Sequence, residues 1–412
     1  MTQVEADTGS PERRRYAGPV FFEYGFRPFF LGAGIEAVLA MLAWMAWITV
    51  QRLDAGSVML SIAVPVHQWH AHEMIFGYGL AVVAGFFLTA VPSWTGRQPV
   101  RGSLLAALFG LWLLARIASW TSAFLRPAAV AVPELAFIGM LCFLVAQALL
   151  SGWSNRNFVF LPVLAVLFGS AALHHLEAMG ITGWTSAPGH LLAIDALLVL
   201  ATVIGGRIVP AFTTNVLRRK GVEPLPRAAD KRDTVAIVTV AVLLVADLAA
   251  PGAIVTGWAA LAAGVAGAVR MAGWRSRHVL GSPILWVLHL GYAWLVFGLL
   301  FKGFALVTET VPEILALHAL TVGALGCMTL GVMTRAGLGH TGRPLHVSSM
   351  IAVSYLLVSL AAVVRIAWPL ADLPFYDAAM LASGLLWSTA FVIFTAVYWP
   401  VLTRPRVSAA PG

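Results

Sequence analysis

The sequence predicts an all-α polytopic membrane protein, a bundle of about twelve transmembrane helices. Of its 412 residues, 60% are hydrophobic and 11% are charged, and the mean hydropathy is +0.86. Soluble globular proteins of this length do not have such a composition. The apolar segments are each roughly 20 residues long, enough for a helix to cross a hydrocarbon core of about 30 Å. Barrel strands would be shorter and would alternate polar with apolar residues, so helices are expected.

The apolar segments follow one another through short connections and form a single transmembrane domain over residues 29–402. Residues 1–28 and 403–412 are the two tails, and no soluble domain is expected. The spans are predicted at residues 29–50, 68–92, 103–122, 133–150, 159–180, 189–211, 233–250, 252–272, 282–304, 312–335, 347–369 and 376–402.

The basic residues predict the orientation of these spans. They concentrate in the even-numbered connections and in the N-terminal tail, which holds Arg13 to Arg15 and Arg27, whereas the odd-numbered connections hold only Arg52 and Arg126. The positive-inside rule therefore puts both termini in the cytoplasm. The net charge of +8 is spread over many short loops, so it reflects topology in a lipid bilayer and does not indicate nucleic-acid binding.

Missing motifs argue against several classes of function. Cys142 and Cys327 fall inside spans and form neither a CxxC nor a CxxCH pair, which excludes covalent c-type haem and a thiol redox motif. No phosphate-binding glycine loop follows a predicted strand. Residues 1–20 are polar and lack the form of a cleavable signal peptide, so we expect span 1 to direct insertion.

The predicted topology gathers histidines at one depth. Seven of the 11 histidines fall in or near the outer third of the membrane. They are His67, His70, His72, His174, His175, His190 and His318. A lone histidine in a span is often hydrogen-bonded to a neighbouring helix. A cluster instead favours a metal or haem site, because neutral imidazole is a good ligand for iron and copper.

Spans 2 and 10 share residues at identical offsets. Glycine follows His72 and His318 after five and thirteen residues, and both spans run into Thr-Gly-Arg, at 95–97 and 341–343. The two histidines thus occupy equivalent positions on similar parallel helices, which predicts them as the axial ligands of a haem. The glycines serve close helix packing, our preferred interpretation, or the approach of a flat macrocycle. His70 points to nearly the opposite side from His72, so it is a candidate for a neighbouring site.

Basic side chains also lie at depth in the spans. Arg116 and Arg365 fall in the outer half, where they are candidates for neutralising haem propionates. The alternative is extension to the lipid headgroups or an ion pair with Glu134, Glu177 or Asp195. Lys302, close to the end of span 9, is expected to extend to the lipid headgroups.

A repeat is suggested by the spacing of three histidines. His72, His190 and His318 lie on spans 2, 6 and 10, four spans apart each time and in the same orientation. This spacing is compatible with three pseudo-repeated four-helix units, although span 6 shares only its histidine and its direction. We interpret Gly205-Gly206-Arg207-Ile208-Val209-Pro210, at the end of span 6, as a structural turn.

Five separated motifs resemble the NnrS family. They are Phe26-Arg27-Pro28-Phe29-Phe30, Trp69-His70-Ala71-His72-Glu73-Met74, Pro92-x-Trp94-Thr95-Gly96-Arg97, Gly205-Gly206-Arg207-Ile208-Val209-Pro210 and Gly339-His340-Thr341-Gly342-Arg343-Pro344-Leu345. The resemblance covers nearly the whole chain. It implies a bacterial inner-membrane protein that contains haem and copper and is associated with denitrification and with resistance to nitric oxide and nitrosative stress. Twelve spans with histidines on the second and tenth are also similar, at fold level, to the haem–copper oxidase catalytic subunit.

The leading functional hypothesis is a membrane protein with haem b on His72 and His318 that binds nitric oxide or a related small molecule. The accompanying copper site would be drawn from His70, His174, His175 and His190. No catalytic residue is assigned and no electron donor can be identified, so enzymatic turnover is left open.

Two other functions stay open. One is a proton-coupled transporter of a metal or small solute, with the outer histidines as its loading site and Glu36, Asp195 and Asp247 carrying protons. The other is a haem-dependent sensor or assembly factor that acts through a partner protein.

Overall fold

The computed structural model describes residues 16–52, 61–151, 157–226 and 231–407. Every regular element in these ranges is a helix, which confirms the predicted fold class. Arg13 to Arg15, on which part of the orientation argument rests, lie outside the described residues, as do the first part of the N-terminal tail and the last five residues.

Twelve long helices follow one another in the described part of the chain, and each overlaps one predicted span. The first six are α1 (Phe26–Arg52), α2 (Val66–Thr95), α3 (Ser103–Trp120), α4 (Pro127–Ser151), α5 (Phe160–Ala178) and α6 (Ser186–Arg219). The second six are α7 (Lys231–Ala249), α8 (Ile254–Ala272), α9 (Pro283–Thr308), α10 (Glu313–His340), α11 (Ser349–Leu370) and α12 (Tyr376–Thr403). Eleven are long and apolar enough to cross a membrane, and α7 is the exception because of its charged residues.

The prediction of a structural turn at Gly205 to Pro210 is wrong, because α6 continues through these residues to Arg219. The glycines serve a close contact instead. A Cβ on Gly206 would lie 1.7 Å from the guanidinium of Arg270 in α8. That guanidinium donates a hydrogen bond of 2.7 Å to the carbonyl oxygen of Thr202, so the helix is fastened to α8 at this point.

Helices α2 and α10 share an interruption of the same kind at the same place. In α2 a π-helical segment, Glu73–Gly79, follows His72 directly, and in α10 the π-helical segment Ala319–Leu325 follows His318 directly. Such segments are rare and are concentrated at functional sites. The correspondence that the sequence shows between spans 2 and 10 therefore extends to the backbone, whereas α6 is continuous.

Helices α2 and α6 lie at the centre of the bundle. Buried residues make up 83% of the most apolar part of α2 and 78% of that of α6, against 39% for each of α3, α4, α8, α11 and α12. We call the end of the bundle where α2, α6 and α10 begin the histidine end. The two most enclosed helices thus carry three of the predicted ligands, His70, His72 and His190, near their first turns.

Candidate functional site

Four histidines from three helices form a buried cluster at the histidine end. The ring of His72 in α2 stacks on that of His174 in α5 with 4.3 Å between centroids. His175 lies 5.8 Å from His72, and His190 of α6 lies 5.1 Å from His174. All four side chains are buried. The structure thus brings together the three predicted metal ligands of α5 and α6 with His72, which the sequence assigned to haem; we call this group the histidine cluster.

A carboxylate completes a set of atoms suited to a metal ion. Ligand atoms of His72, His175 and Glu134 all lie within 4.8 Å of one another. Nε2 of His72 is 2.9 Å from Oε1 of Glu134, and Nε2 of His175 is 3.6 Å from the same oxygen. In the described chain, Nε2 of His175 and Nε2 of His190 are buried without a hydrogen-bond partner. Buried polar atoms are normally paired, so these two nitrogens fit a group that binds to them.

An arginine and a second carboxylate surround the cluster. Arg116 pairs with Glu73 at 2.8 Å and donates a hydrogen bond of 2.6 Å to Glu134. Oε1 of Glu73 lies 3.1 Å from Nδ1 of His72 and accepts a hydrogen bond of 2.7 Å from the hydroxyl of Ser119. Carboxylates commonly orient metal-binding imidazoles in this way. Glu36 of α1 lies beside Glu73 and Arg116 as well, so three carboxyl groups surround one guanidinium, and this excess of acidic groups favours a bound cation.

The interaction partners of Arg116 differ from the haem propionates that the sequence suggested. It was a candidate for haem propionates, but it is buried against Glu73 and Glu134 and does not line the cavity described next. The ion pair with Glu134 is one of the alternatives that the sequence left open. Sequence reasoning did not identify Glu134 as a metal ligand, although a carboxylate within an apolar span is a usable signal.

A cavity of about 920 Å³ lies beside the histidine cluster, lined by residues of α1, α2, α6, α10, α11 and α12. Most of its lining is apolar. His70 and His318 both line it, and so does His190, which connects the cavity with the cluster. Arg365 of α11 also lines the cavity, with Nη1 3.5 Å from the hydroxyl of Tyr376.

His70 and His318 each have a ring nitrogen available for a ligand. Nδ1 of His318 donates a hydrogen bond of 2.7 Å to the carbonyl oxygen of Ile314, which leaves the Nε2 lone pair free. The ring of His70 stacks on Trp44 with 4.8 Å between centroids, and its Nδ1 has no partner in the described chain. A backbone carbonyl that fixes one ring nitrogen is a common support for a metal-binding histidine.

The structure does not bring together the predicted pair His72 and His318. Both nitrogens of His72 face carboxylates, and its ring is absent from the cavity lining. His70 shares the cavity with His318, and so does the exposed His67, one turn earlier in α2. The reason is geometric: residues two apart on a helix point about 200° apart, so only one of the pair can face the cavity.

His340 lies at the opposite end of the bundle. It is the last residue of α10, and its ring is 5.7 Å from that of Phe26 at the start of α1. The following Thr341 accepts a hydrogen bond of 3.0 Å from the backbone nitrogen of Val407. The Gly-His-Thr-Gly-Arg segment therefore ties the two ends of the chain together, far from the histidine cluster.

Comparison with protein-family models matches residues 20–406 of the chain to the model described as NnrS protein. A search of the curated proteins gives no match. The match runs from just before α1 to just beyond α12, and so covers every helix that contributes to the cavity and to the histidine cluster.

Proposed function

The chain belongs to the NnrS family of nitric oxide response-related membrane proteins, and on that premise we propose that it binds haem b in the cavity and copper in the histidine cluster. In this proposal the protein binds nitric oxide and protects the cell from nitrosative stress. The proposal assigns no catalytic turnover and no electron donor.

The observation that carries the haem proposal is that His70 and His318, from the two helices with π-helical segments, line one apolar cavity. Its volume of about 920 Å³ falls in the range of cofactor sites, roughly 300–1,000 Å³. Arg365 would pair with a propionate. Haem iron would supply a site for a diatomic ligand such as nitric oxide. The proposed ligand pair is therefore His70 and His318, in place of the pair predicted from the sequence.

The histidine cluster supports copper binding through its donor set. Imidazole suits copper, and four buried imidazoles with one carboxylate offer more ligands than a single ion requires. Glu73 and Arg116 would hold His72 and Glu134 in place around the ion. His190 belongs to the cluster and also lines the cavity, so the two proposed sites are neighbours.

We further propose that the histidine end faces the outside of the bacterial inner membrane. Basic residues gather at the other end of the bundle, where the described termini also lie, for example at Arg97, Arg218 and Arg404. Cytoplasmic loops carry such an excess of lysine and arginine. A ligand such as nitric oxide, which dissolves in the bilayer, would reach the cavity from the membrane or from the outer surface.

The experiment that tests both sites is an optical and metal analysis of the purified protein. After expression with ample haem and copper, the wild type is expected to show a haem spectrum and to contain copper. His70→Ala and His318→Ala should lose haem and keep copper, whereas His72→Ala and His175→Ala should lose copper and keep haem. His278→Ala is the matched control, because His278 is exposed at the opposite end of the bundle.

A colourless, iron-free wild type would overturn the haem proposal. Haem retained with an unchanged spectrum in both His70→Ala and His318→Ala would overturn the ligand assignment. Metal uptake into proteoliposomes that is driven by a proton gradient would instead support the transporter hypothesis.

A further inference from the structure

A second buried cluster of charged groups lies where α6, α7, α9 and α10 meet, apart from the histidine cluster. Nζ of Lys302 in α9 donates a hydrogen bond of 2.6 Å to Asp247 of α7, and it lies 3.4 Å from Oε1 of Glu313, the first residue of α10. Both Lys302 and Asp247 have 0% of their side-chain surface exposed. Lys302 therefore does not extend to the lipid headgroups as the sequence predicted.

Asp195 of α6 also belongs to this cluster, but no group donates a hydrogen bond to it in the described chain. It is buried, and in the described chain neither carboxyl oxygen has a hydrogen-bond partner. Its carboxyl group faces that of Asp247. The other charged groups that act on it are Lys302 and Glu313, so all four helices packed here contribute one group.

The charges in the cluster do not balance without a proton. Three carboxyl groups face one ammonium group, and three of these four residues are buried in a membrane protein. Two carboxylates in contact in a dry environment cannot both be ionised at acceptable cost. Since Lys302 already pairs with Asp247, the group that remains for the proton is the carboxyl of Asp195.

Glu313 connects the cluster with water. Its side chain is 27% exposed, unlike those of Lys302 and Asp247. It lies at the first turn of α10, at the histidine end of the bundle. A proton from water at this end can therefore reach the cluster through one partly exposed carboxylate.

We propose that Asp195 and Asp247 form a proton-binding site that exchanges with water at the histidine end through Glu313. In the loading step an O–H bond of the Glu313 carboxyl breaks and an O–H bond on Asp195 forms; Glu313 is then reprotonated by water-borne hydronium. Lys302 limits the site to one proton by neutralising Asp247. This proton-binding site does not depend on haem or copper. Ile194, the residue before Asp195, lines the cavity, so the site would be a proton source beside the cavity.

Infrared spectroscopy of the purified full-length protein tests the site. The wild type is expected to show a protonated-carboxyl stretching band that shifts in D₂O and also shifts when aspartate is labelled with ¹³C at its side-chain carboxyl. Asp195→Asn should lose this band. The labelling identifies an aspartic acid in the wild type, so the test holds even if Asp195→Asn fails to fold.

The exchange route is tested by Glu313→Gln, with Glu309→Gln as the matched control on the preceding loop. Glu313→Gln should keep the band and slow its hydrogen–deuterium exchange at least tenfold, while the control exchanges at the wild-type rate. Absence of any aspartic acid band, or a band unchanged in Asp195→Asn, would overturn the site. Wild-type exchange in Glu313→Gln would overturn the route, and loss of the band when sodium replaces potassium at equal ionic strength would show a sodium site instead.

Discussion

Helices α2 and α10 have the same backbone plan but are stabilised by different forces. The π-helical segment of α2 is surrounded by polar contacts: Trp112 donates a hydrogen bond to the carbonyl of Gly77, and Arg116 pairs with Glu73. The corresponding segment of α10 is held by close apolar packing, with Trp294 against Gly323. The same π-helical backbone thus occurs in two environments, beside a charged cluster in α2 and beside an apolar cavity in α10.

The comparison also explains why the two histidines that precede these segments differ in role. His72 faces carboxylates and three other histidines, whereas His318 bonds a backbone carbonyl and faces the cavity. Helix α2 carries an additional histidine, His70, on its cavity side. It therefore contributes to both proposed sites, while α10 contributes to one.

Removing the charge of Arg116, beside the π-helical segment of α2, should have the largest effect on stability. Arg116→Met leaves Glu73 and Glu134 buried without a cation, and breaking a buried ion pair in this way costs about 3–5 kcal/mol. The measurement is the free energy of unfolding in detergent, with the exposed Arg126→Met as control. Equal stability of the two variants would show that ion pairing does not stabilise the α2 segment.

The π-helical segment of α10, which is packed against apolar side chains, should be sensitive to added side-chain volume instead of to the loss of a charge. A Cβ on Gly323 would lie 2.6 Å from Trp294, whose indole nitrogen is fixed by a hydrogen bond of 2.9 Å to Ser359. Gly323→Ala should therefore cost about 1–3 kcal/mol, as overpacking does. The matched variant is Gly77→Ala, where the nearest side-chain atoms, of Arg116 and Glu36, are 3.1 Å away and a smaller shift relieves the contact. A larger loss of unfolding free energy in Gly77→Ala would reverse the contrast between the two segments.

A single hydrogen bond to the π-helical segment of α2 should have a smaller effect. Trp112→Phe removes the 3.0 Å bond to the carbonyl of Gly77, at a cost of about 1 kcal/mol. Trp387→Phe is the control, because its indole bonds the carbonyl of Ala37 in α1 at 3.1 Å. Hydrogen exchange of residues 73–79 should quicken in Trp112→Phe alone; similar exchange in both variants would assign the effect to packing.

The sequence predicts the fold well because the bilayer imposes length, hydropathy and internal hydrogen bonding on each span. It also predicts that His174, His175 and His190 gather, since counting spans fixes the depth of each residue. It does not predict which histidines face one another. Helices apolar on all sides give no rotational signal, and the π-helical segments change the helical register, so exchanging His72 for His70 as the proposed partner of His318 required the structure.

The smallest expected effect concerns a contact between hydroxyl groups that joins the two interrupted helices. Tyr78, in the π-helical segment of α2, is hydrogen-bonded to Thr329 of α10 at the wall of the cavity. Thr329 also donates a hydrogen bond of 2.5 Å to the carbonyl of Leu325, so it keeps one partner when Tyr78 is replaced by phenylalanine. A double-mutant cycle of Tyr78→Phe and Thr329→Val should therefore give a coupling of about 0.6 kcal/mol, the average for side-chain hydrogen bonds between membrane helices.

That coupling decides whether the two segments act as one unit. If it is present, Tyr78→Phe should also raise the hydrogen-exchange rate of residues 319–325 in α10, although the substitution lies in α2. Additive single-variant effects, with exchange altered in α2 only, would mean that the two segments are stabilised independently and that their shared backbone plan is not maintained by contact between them.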